Sequence, residues 1–177
     1  KEYYKNGKLL FEGEYLNGRR WNGNGYNING NMEFTIKDGK GNIKEFSYYG
    51  KLEFEGEYSN GVRNGKGKKY FQFFNNIEFE GEYINGVRNG KGKEYYEDGN
   101  ILFEGEYLNG KKNGEGKEYD RYSNLLFEGE YLNGEKWNGK GYNMHDNSEY
   151  NLKDGKGFIK EYYKNGKLKF EGEYLNG

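Results

Sequence analysis

The stretch Phe79-Glu80-Gly81-Glu82-Tyr83-Ile84-Asn85-Gly86-Val87-Arg88-Asn89-Gly90-Lys91-Gly92 decides the fold. Phe79, Gly81 and Tyr83 alternate with Glu80 and Glu82. That period of two is the mark of a β-strand with an aromatic face and a charged face. Two Asn-Gly steps follow. Asn-Gly favours positive φ and is a strong hairpin signal, so the segment predicts a turn and then a return strand that begins near Gly90. A helix is excluded on cost, since each interior Gly disfavours it by about 1 kcal/mol.

Working outward, the string Phe-Glu-Gly-Glu-Tyr begins at Phe11, Phe54, Phe79, Phe103, Phe127 and Phe170. The spacings are 43, 25, 24, 24 and 43. A second marker, Gly-x-Gly, falls at Gly23, Gly39, Gly65, Gly90, Gly114, Gly139 and Gly155. The two markers interleave, so each 43-residue gap holds two hairpins, one of them short. The short ones open with strands at Met32–Lys37 and Ser148–Lys153, and Asp38-Gly39 and Asp154-Gly155 are suited to tight two-residue turns. Residues 1–61 and 117–177 align without gaps at 39 identical positions, a 116-residue superrepeat of five units. The extra residue of the 24-residue period is expected as a bulge in the Lys93–Tyr96 stretch, because one added residue otherwise flips the faces of a strand.

Composition agrees with a repeat array. The chain has 31 Gly and 20 Tyr, with no Pro, Cys or Ala. Leu, Ile, Val and Phe together reach only about 19%, near the boundary of disorder, but the net charge of −1 removes the charge half of that signature. The absence of Cys excludes disulfides and thiolate metal sites. No apolar run approaches the ~18 residues of a membrane span, and no signal-peptide core is present, which gives a cytoplasmic expectation.

The unit Tyr-x-Asn-Gly-x-x-Asn-Gly-x-Gly, preceded by Glu-Gly-Glu, resembles the MORN (membrane occupation and recognition nexus) repeat, and the likeness extends over essentially the whole chain. MORN repeats usually carry Trp where Tyr83 stands and often His where Asn89 stands; with its 24-residue period this variant is similar to the bacterial, protist and giant-virus subset. The resemblance implies an all-β fold, an elongated single-sheet antiparallel meander of hairpins forming an open, solenoid-like array. It also implies a scaffolding or protein-binding role.

The chemistry-bearing residues point away from catalysis. His145 is the only histidine, beside Asp146 in a turn, with no triad or zinc partner in its neighbourhood. The Glu pairs, such as Glu12/Glu14 and Glu128/Glu130, recur in every full unit and face lysines such as Lys91/Lys93. Cross-strand charge pairs of this kind contribute about 0.2–1 kcal/mol each. Gly-x-Gly lacks the helix and the Gly-Lys-Ser/Thr of a phosphate loop; it instead suits an aromatic ring lying against the backbone. The 28 basic residues interleave with 29 acidic ones, which disfavours nucleic acid and gives a membrane surface little to hold.

These readings converge on seven hairpins plus a part-unit at each end, spanning 1–177 as one array of about sixteen strands. At ~4.8 Å between strands the sheet is on the order of 70 Å long. The expected function is non-enzymatic, with no cofactor and no metal. The expected binding face is an exposed aromatic trough made by Phe54, Tyr58, Phe79, Tyr83, Phe103, Tyr107, Phe127 and Tyr131, with Trp21 and Trp137 as local anchors beside the short units. The expected partner is a helix or an extended segment of another protein, with a peripheral membrane tether as the alternative. The half-units Lys1–Tyr4 and Phe170–Gly177 present open edges, from which end-to-end self-association is expected.

Overall fold

The computed structural model describes residues 1–163 and 167–175. Residues 164–166 and 176–177, the last two of the expected terminal half-unit, lie outside the described residues. The described residues contain sixteen strands and no helix. They divide into two compact units, Lys1–Arg88 and Asn89–Gly177.

The first unit holds β1 (Glu2–Tyr3), β2 (Leu9–Leu16), β3 (Arg19–Tyr26), β4 (Met32–Ile36), β5 (Gly41–Phe46), β6 (Leu52–Ser59), β7 (Val62–Tyr70) and β8 (Ile77–Ile84). β9 (Val87–Tyr95) begins in it and lies mostly in the second unit. The second unit continues with β10 (Ile101–Leu108), β11 (Lys111–Tyr119), β12 (Leu125–Leu132), β13 (Glu135–Tyr142), β14 (Glu149–Leu152), β15 (Lys156–Tyr162) and β16 (Leu168–Leu175). Within each unit, apart from β4/β5 and β14/β15, neighbours in sequence are neighbours in the sheet and run antiparallel.

The meander is not one uninterrupted sheet. β4 and β5 share only the Lys37–Lys40 bridge, and β14 and β15 only Lys153–Lys156. The short strands leave too little backbone beyond the turn to carry a ladder, so pairing breaks inside each short hairpin.

The first Asn-Gly of each unit forms the turn. Asn60 and Gly61 sit at φ 53° and 71°, and Asn109 and Gly110 at 51° and 84°. Positive φ at both central positions is the type I′ geometry that matches strand twist. Asp38-Gly39 and Asp154-Gly155 close the short hairpins in the same way. The second Asn-Gly, expected in the turn, lies inside the return strand. In β10/β11 the pairing steps from Gly105–Gly116 to Tyr107–Lys112, so Asn113-Gly114 is a bulge. Its asparagine links successive turns: the Asn133 N–H donates to Asn113 Oδ1 at 3.2 Å, and the Asn85 N–H to Asn64 Oδ1 at 3.3 Å.

The bulge behind the 24-residue period also sits elsewhere than expected. Ile101 pairs with Tyr95 and Phe103 with Glu94, so the extra residue is Leu102, on the phenylalanine strand rather than in Lys93–Tyr96. Glu53 and Leu126 occupy the same place in β6 and β12. The insertion lets Phe keep its inward direction while the return strand stays regular. The 25-residue spacing has a different origin. Its extra residue lengthens one loop, which closes from the Phe71 N–H to the Asn76 carbonyl.

Candidate functional site

The aromatic ladder is the core. Phe11, Phe54 and Phe79 in the first unit and Phe103 and Phe127 in the second are all 0% exposed, and Tyr83, Tyr107 and Tyr131 are 3–4% exposed. Tyr58 is half-buried, and Phe170 is 43% exposed. Glycine makes the room. A Cβ on Gly67 would collide with the Phe54 ring, and one on Gly116 with that of Phe103. Each of these Phe meets its own-strand Tyr edge to face, as Phe103 meets Tyr107 at 5.6 Å between centroids; Phe54 and Phe103 also meet the Tyr of the next hairpin, Tyr83 at 5.3 Å and Tyr131 at 5.1 Å.

The trough expected to stand open is therefore closed, and the sequence reading missed what closes it. A cation lies over each buried ring. The Arg63 guanidinium is 4.1 Å from the Phe54 centroid, Arg88 is 4.2 Å from Phe79, and the Lys112 ammonium is 4.2 Å from Phe103. Arg20 and Lys136 cover Phe11 and Phe127 at 4.7 and 5.1 Å. Attraction of a cation to a ring face contributes about 0.5–2 kcal/mol. The hairpin places the cation: it is the second residue after the turn glycine and pairs with the Tyr, as Arg63 pairs with Tyr58 and Lys136 with Tyr131.

A carboxylate opposite the Phe holds the cation over Phe11, Phe54, Phe103 and Phe127, whereas Arg88 over Phe79 is held by Glu78 of the phenylalanine's own strand. Glu45 pairs with Phe54 and Glu118 with Phe127. Glu45 accepts from Arg63 Nε and Nη2 at 2.8 and 2.6 Å and from the Tyr58 hydroxyl. Glu2 binds Arg20 and Tyr15 in the same way. In the second unit Lys112 reaches Glu94 at 3.7 Å and Lys136 reaches Glu118 at 3.4 Å. Burial pushes the Glu45 carboxyl up, but the Arg63 and Tyr58 hydrogen bonds outweigh it and leave it below the usual carboxylate range. The sequence signal was present: the residue two after each of Gly18, Gly61, Gly86, Gly110 and Gly134 is basic.

The outer face carries the Glu–Lys lattice that the alternation implied. Glu104 lies 3.1 Å from Lys93 and accepts from the Tyr119 hydroxyl at 2.9 Å. Glu128 is bound likewise by Lys117 and Tyr142. The Tyr119 hydrogen bond, then the Lys93 contact, lowers the Glu104 pKa.

Trp21 and Trp137 are half-buried bulge residues on β3 and β13. Their carbonyls accept the Gly39 and Gly155 N–H groups at 2.9 and 2.8 Å, and the Trp21 ring packs on Gly39. They thus fasten the short-hairpin turns to the preceding strand. His145 sits in an exposed turn with its ring 5.5 Å from that of Tyr162. Among the described residues no group of three or more His, Cys, Asp or Glu is placed to hold a metal ion. No helix among them is long and apolar enough to cross a membrane.

No curated protein matches the chain. The family model of the MORN repeat matches residues 54–72, 79–101 and 103–121. Each matched stretch begins at a core phenylalanine and contains the type I′ turn and the lid cation described above, so residues 54–121 of the chain carry MORN repeats.

Proposed function

We propose that the chain is a non-enzymatic interaction module that holds another protein along the lidded face of its hairpins. MORN repeats are generally associated with protein or membrane-lipid interaction. One observation favours a protein partner: successive hairpins present the same cation–carboxylate pair over a buried ring. Arg63–Glu45 and Arg88–Glu78 lie on adjacent hairpins of the first unit, and Lys112–Glu94 and Lys136–Glu118 on adjacent hairpins of the second. With strands ~4.8 Å apart, such pairs recur about every 10 Å. A row of alternating charges at fixed spacing suits an extended segment or helix carrying complementary charges, and gives an anionic headgroup surface no uniform positive field.

The test is affinity capture from a native lysate by the wild-type chain and by the double charge-reversal variant Arg63→Glu/Lys112→Glu, with circular dichroism confirming that the variant folds. Proteins retained by the wild type and lost by the variant are the expected result. Identical retention by both chains would remove the lidded face from the interaction. Sedimentation with anionic vesicles at low and high salt, in the absence of any captured protein, would favour the membrane reading instead.

A further inference from the structure

The inter-unit loops of the first unit form a surface of a different kind from the first three of the second, whose fourth connecting segment, 163–167, carries Lys164 and Lys167 in its sequence. In the first unit these loops are Tyr4–Lys8, Asn27–Asn31, Ser47–Lys51 and Phe71–Asn76, and they contain three lysines and no Asp or Glu. Contacts hold them side by side. The Lys5 N–H donates to the Tyr48 carbonyl at 3.0 Å, the Lys5 ammonium stands 4.9 Å from the Tyr49 ring, and Lys51 Nζ reaches the Gln72 carbonyl at 3.5 Å. On this edge Tyr48, Tyr49, Phe73 and Phe74 are 47–78% exposed. None of the four belongs to the Phe/Tyr ladder, and clustered exposed aromatics mark an interaction surface.

In the second unit three consecutive loops, Tyr96–Asn100, Asp120–Asn124 and Asn143–Ser148, carry Glu97, Asp98, Asp120 and Asp146 against the single Arg121. They too are joined, with Asn100 Nδ2 donating to the Arg121 carbonyl at 2.9 Å. Four carboxylates less one guanidinium give −3, against +3 from Lys5, Lys8 and Lys51. The acidic loops also present Tyr122 and Met144, both exposed. The chain thus carries an aromatic, cationic surface in one unit and its electrostatic complement in the other. Complementary potentials select partners and fix register.

We infer that the loop edge of the first unit docks a second copy of this chain through the acidic loops of that copy's second unit. The occupant follows from the charges: the acidic loops supply the carboxylates that the lysine loops lack and add apolar side chains to the exposed aromatics. This contact is separate from the lidded face and from the strand edges at the ends.

Sedimentation velocity on the intact chain tests the inference. Association is expected at low salt and is expected to weaken at least tenfold in about 1 M salt, where the Debye length falls to about 3 Å. Lys5→Glu/Lys51→Glu alone, Glu97→Lys/Asp98→Asn alone, and Phe73→Ser/Phe74→Ser should each lose it; an equimolar mixture of the first two should restore it. All the altered side chains are exposed, and far-UV circular dichroism checks that each variant folds. A wild-type chain that stays monomeric at low salt overturns the inference, as does undiminished association of the charge variants. Loss of association on Tyr174→Pro, with the charge variants unaffected, would assign it to the end strand. A monomer that binds anionic vesicles through Phe73 and Phe74 would assign the surface to lipid.

Discussion

Arg63 lies over Phe54, its guanidinium carbon 4.1 Å from the ring centroid, while its Nε and Nη2 are engaged by Glu45. A cation held between a ring and a carboxylate, mostly out of water, depends on its partner. Glu45→Gln keeps the shape and removes the charge, with an expected loss of about 1–3 kcal/mol in urea unfolding. Arg63→Met keeps apolar cover over Phe54 but strands Glu45, costing about 3 kcal/mol or more. The double variant Arg63→Met/Glu45→Leu should recover most of that loss. A cycle of these variants with a coupling under about 0.5 kcal/mol would show the pair to be independent of the core.

Stability should fall at both ends of the pH scale, for opposite reasons. The carboxyls of Glu2, Glu45, Glu104 and Glu128 are held below their ordinary value of 4.5 by hydrogen bonds to Arg, Lys and Tyr. The unfolded chain therefore binds protons first, and the stabilisation present above pH 4.5 is lost as pH falls through the lower folded values. Burial pushes the Tyr4, Tyr15 and Tyr150 phenols up to about 12, and Tyr58 further in the same direction. Here the unfolded phenols, near 10, ionise first, so stability is full below pH 10 and is lost as pH rises toward 12. Thermal melts across pH should show a plateau with both shoulders. Tyrosinate absorbance should rise together with loss of the β signal, and a phenol titration at pH 10 that leaves the fold intact would contradict this.

What was legible in the sequence was what a period and a turn signal can carry. Phe103-Glu104-Gly105-Glu106-Tyr107 fixed the inward and outward faces, and Asn109-Gly110 fixed the turn. The lid was not legible, because its parts come from different hairpins. Lys112 reaches Glu94 across the phenylalanine strand, and only register brings them together. The bulge side was ambiguous because a 24-residue period counts the extra residue without placing it; Leu102 and a residue of Lys93–Tyr96 satisfy the count equally. The trough was expected to be open because a single-layer sheet has no second layer. Long cationic side chains serve as that layer, with their charged heads over the rings and held there by carboxylates.

Gly116 and Gly110 separate two uses of glycine. Gly116 lies beneath the Phe103 ring, where an added Cβ would collide with ring carbons, whereas nothing lies within 4 Å of a Cβ on Gly110. Gly116→Ala should cost about 1–3 kcal/mol by forcing the ring off its seat. Gly110→Ala, at φ +84°, pays only local backbone strain of about 1 kcal/mol. Near-ultraviolet circular dichroism should change for Gly116→Ala and stay unchanged for Gly110→Ala. Equal spectra would mean that the ring does not rest on that glycine.

The hairpins differ at one position, and that difference sets the last expectation. Glu2, Glu45, Glu94, Glu118 and Glu161 each stand opposite a ladder phenylalanine, but Phe79 faces Lys69. In three hairpins that carboxylate accepts the tyrosine hydroxyl: Glu2 from Tyr15, Glu45 from Tyr58, and Glu118 from Tyr131 at 3.1 Å. Opposite Phe79 a lysine cannot accept. Its ammonium turns instead to Glu78, the bulge residue of β8, at 2.7 Å. The Tyr83 hydroxyl is left buried with no hydrogen-bond partner among the described residues. An unsatisfied buried hydroxyl costs about 1–3 kcal/mol, whereas a hydrogen bond to a charged group contributes about 1.5–3 kcal/mol. Tyr83→Phe should therefore be neutral or stabilising by up to about 1 kcal/mol, since it removes an unpaired polar atom and leaves the ring on Phe54 and Phe79. The same change at Tyr58 should destabilise by about 1.5–3 kcal/mol, because it strips Glu45 of a donor. Chemical denaturation of the two variants side by side measures the contrast. Equal losses at the two positions would show that Tyr83 has a hydrogen-bond partner in solution, and that Lys69 leaves nothing unpaired.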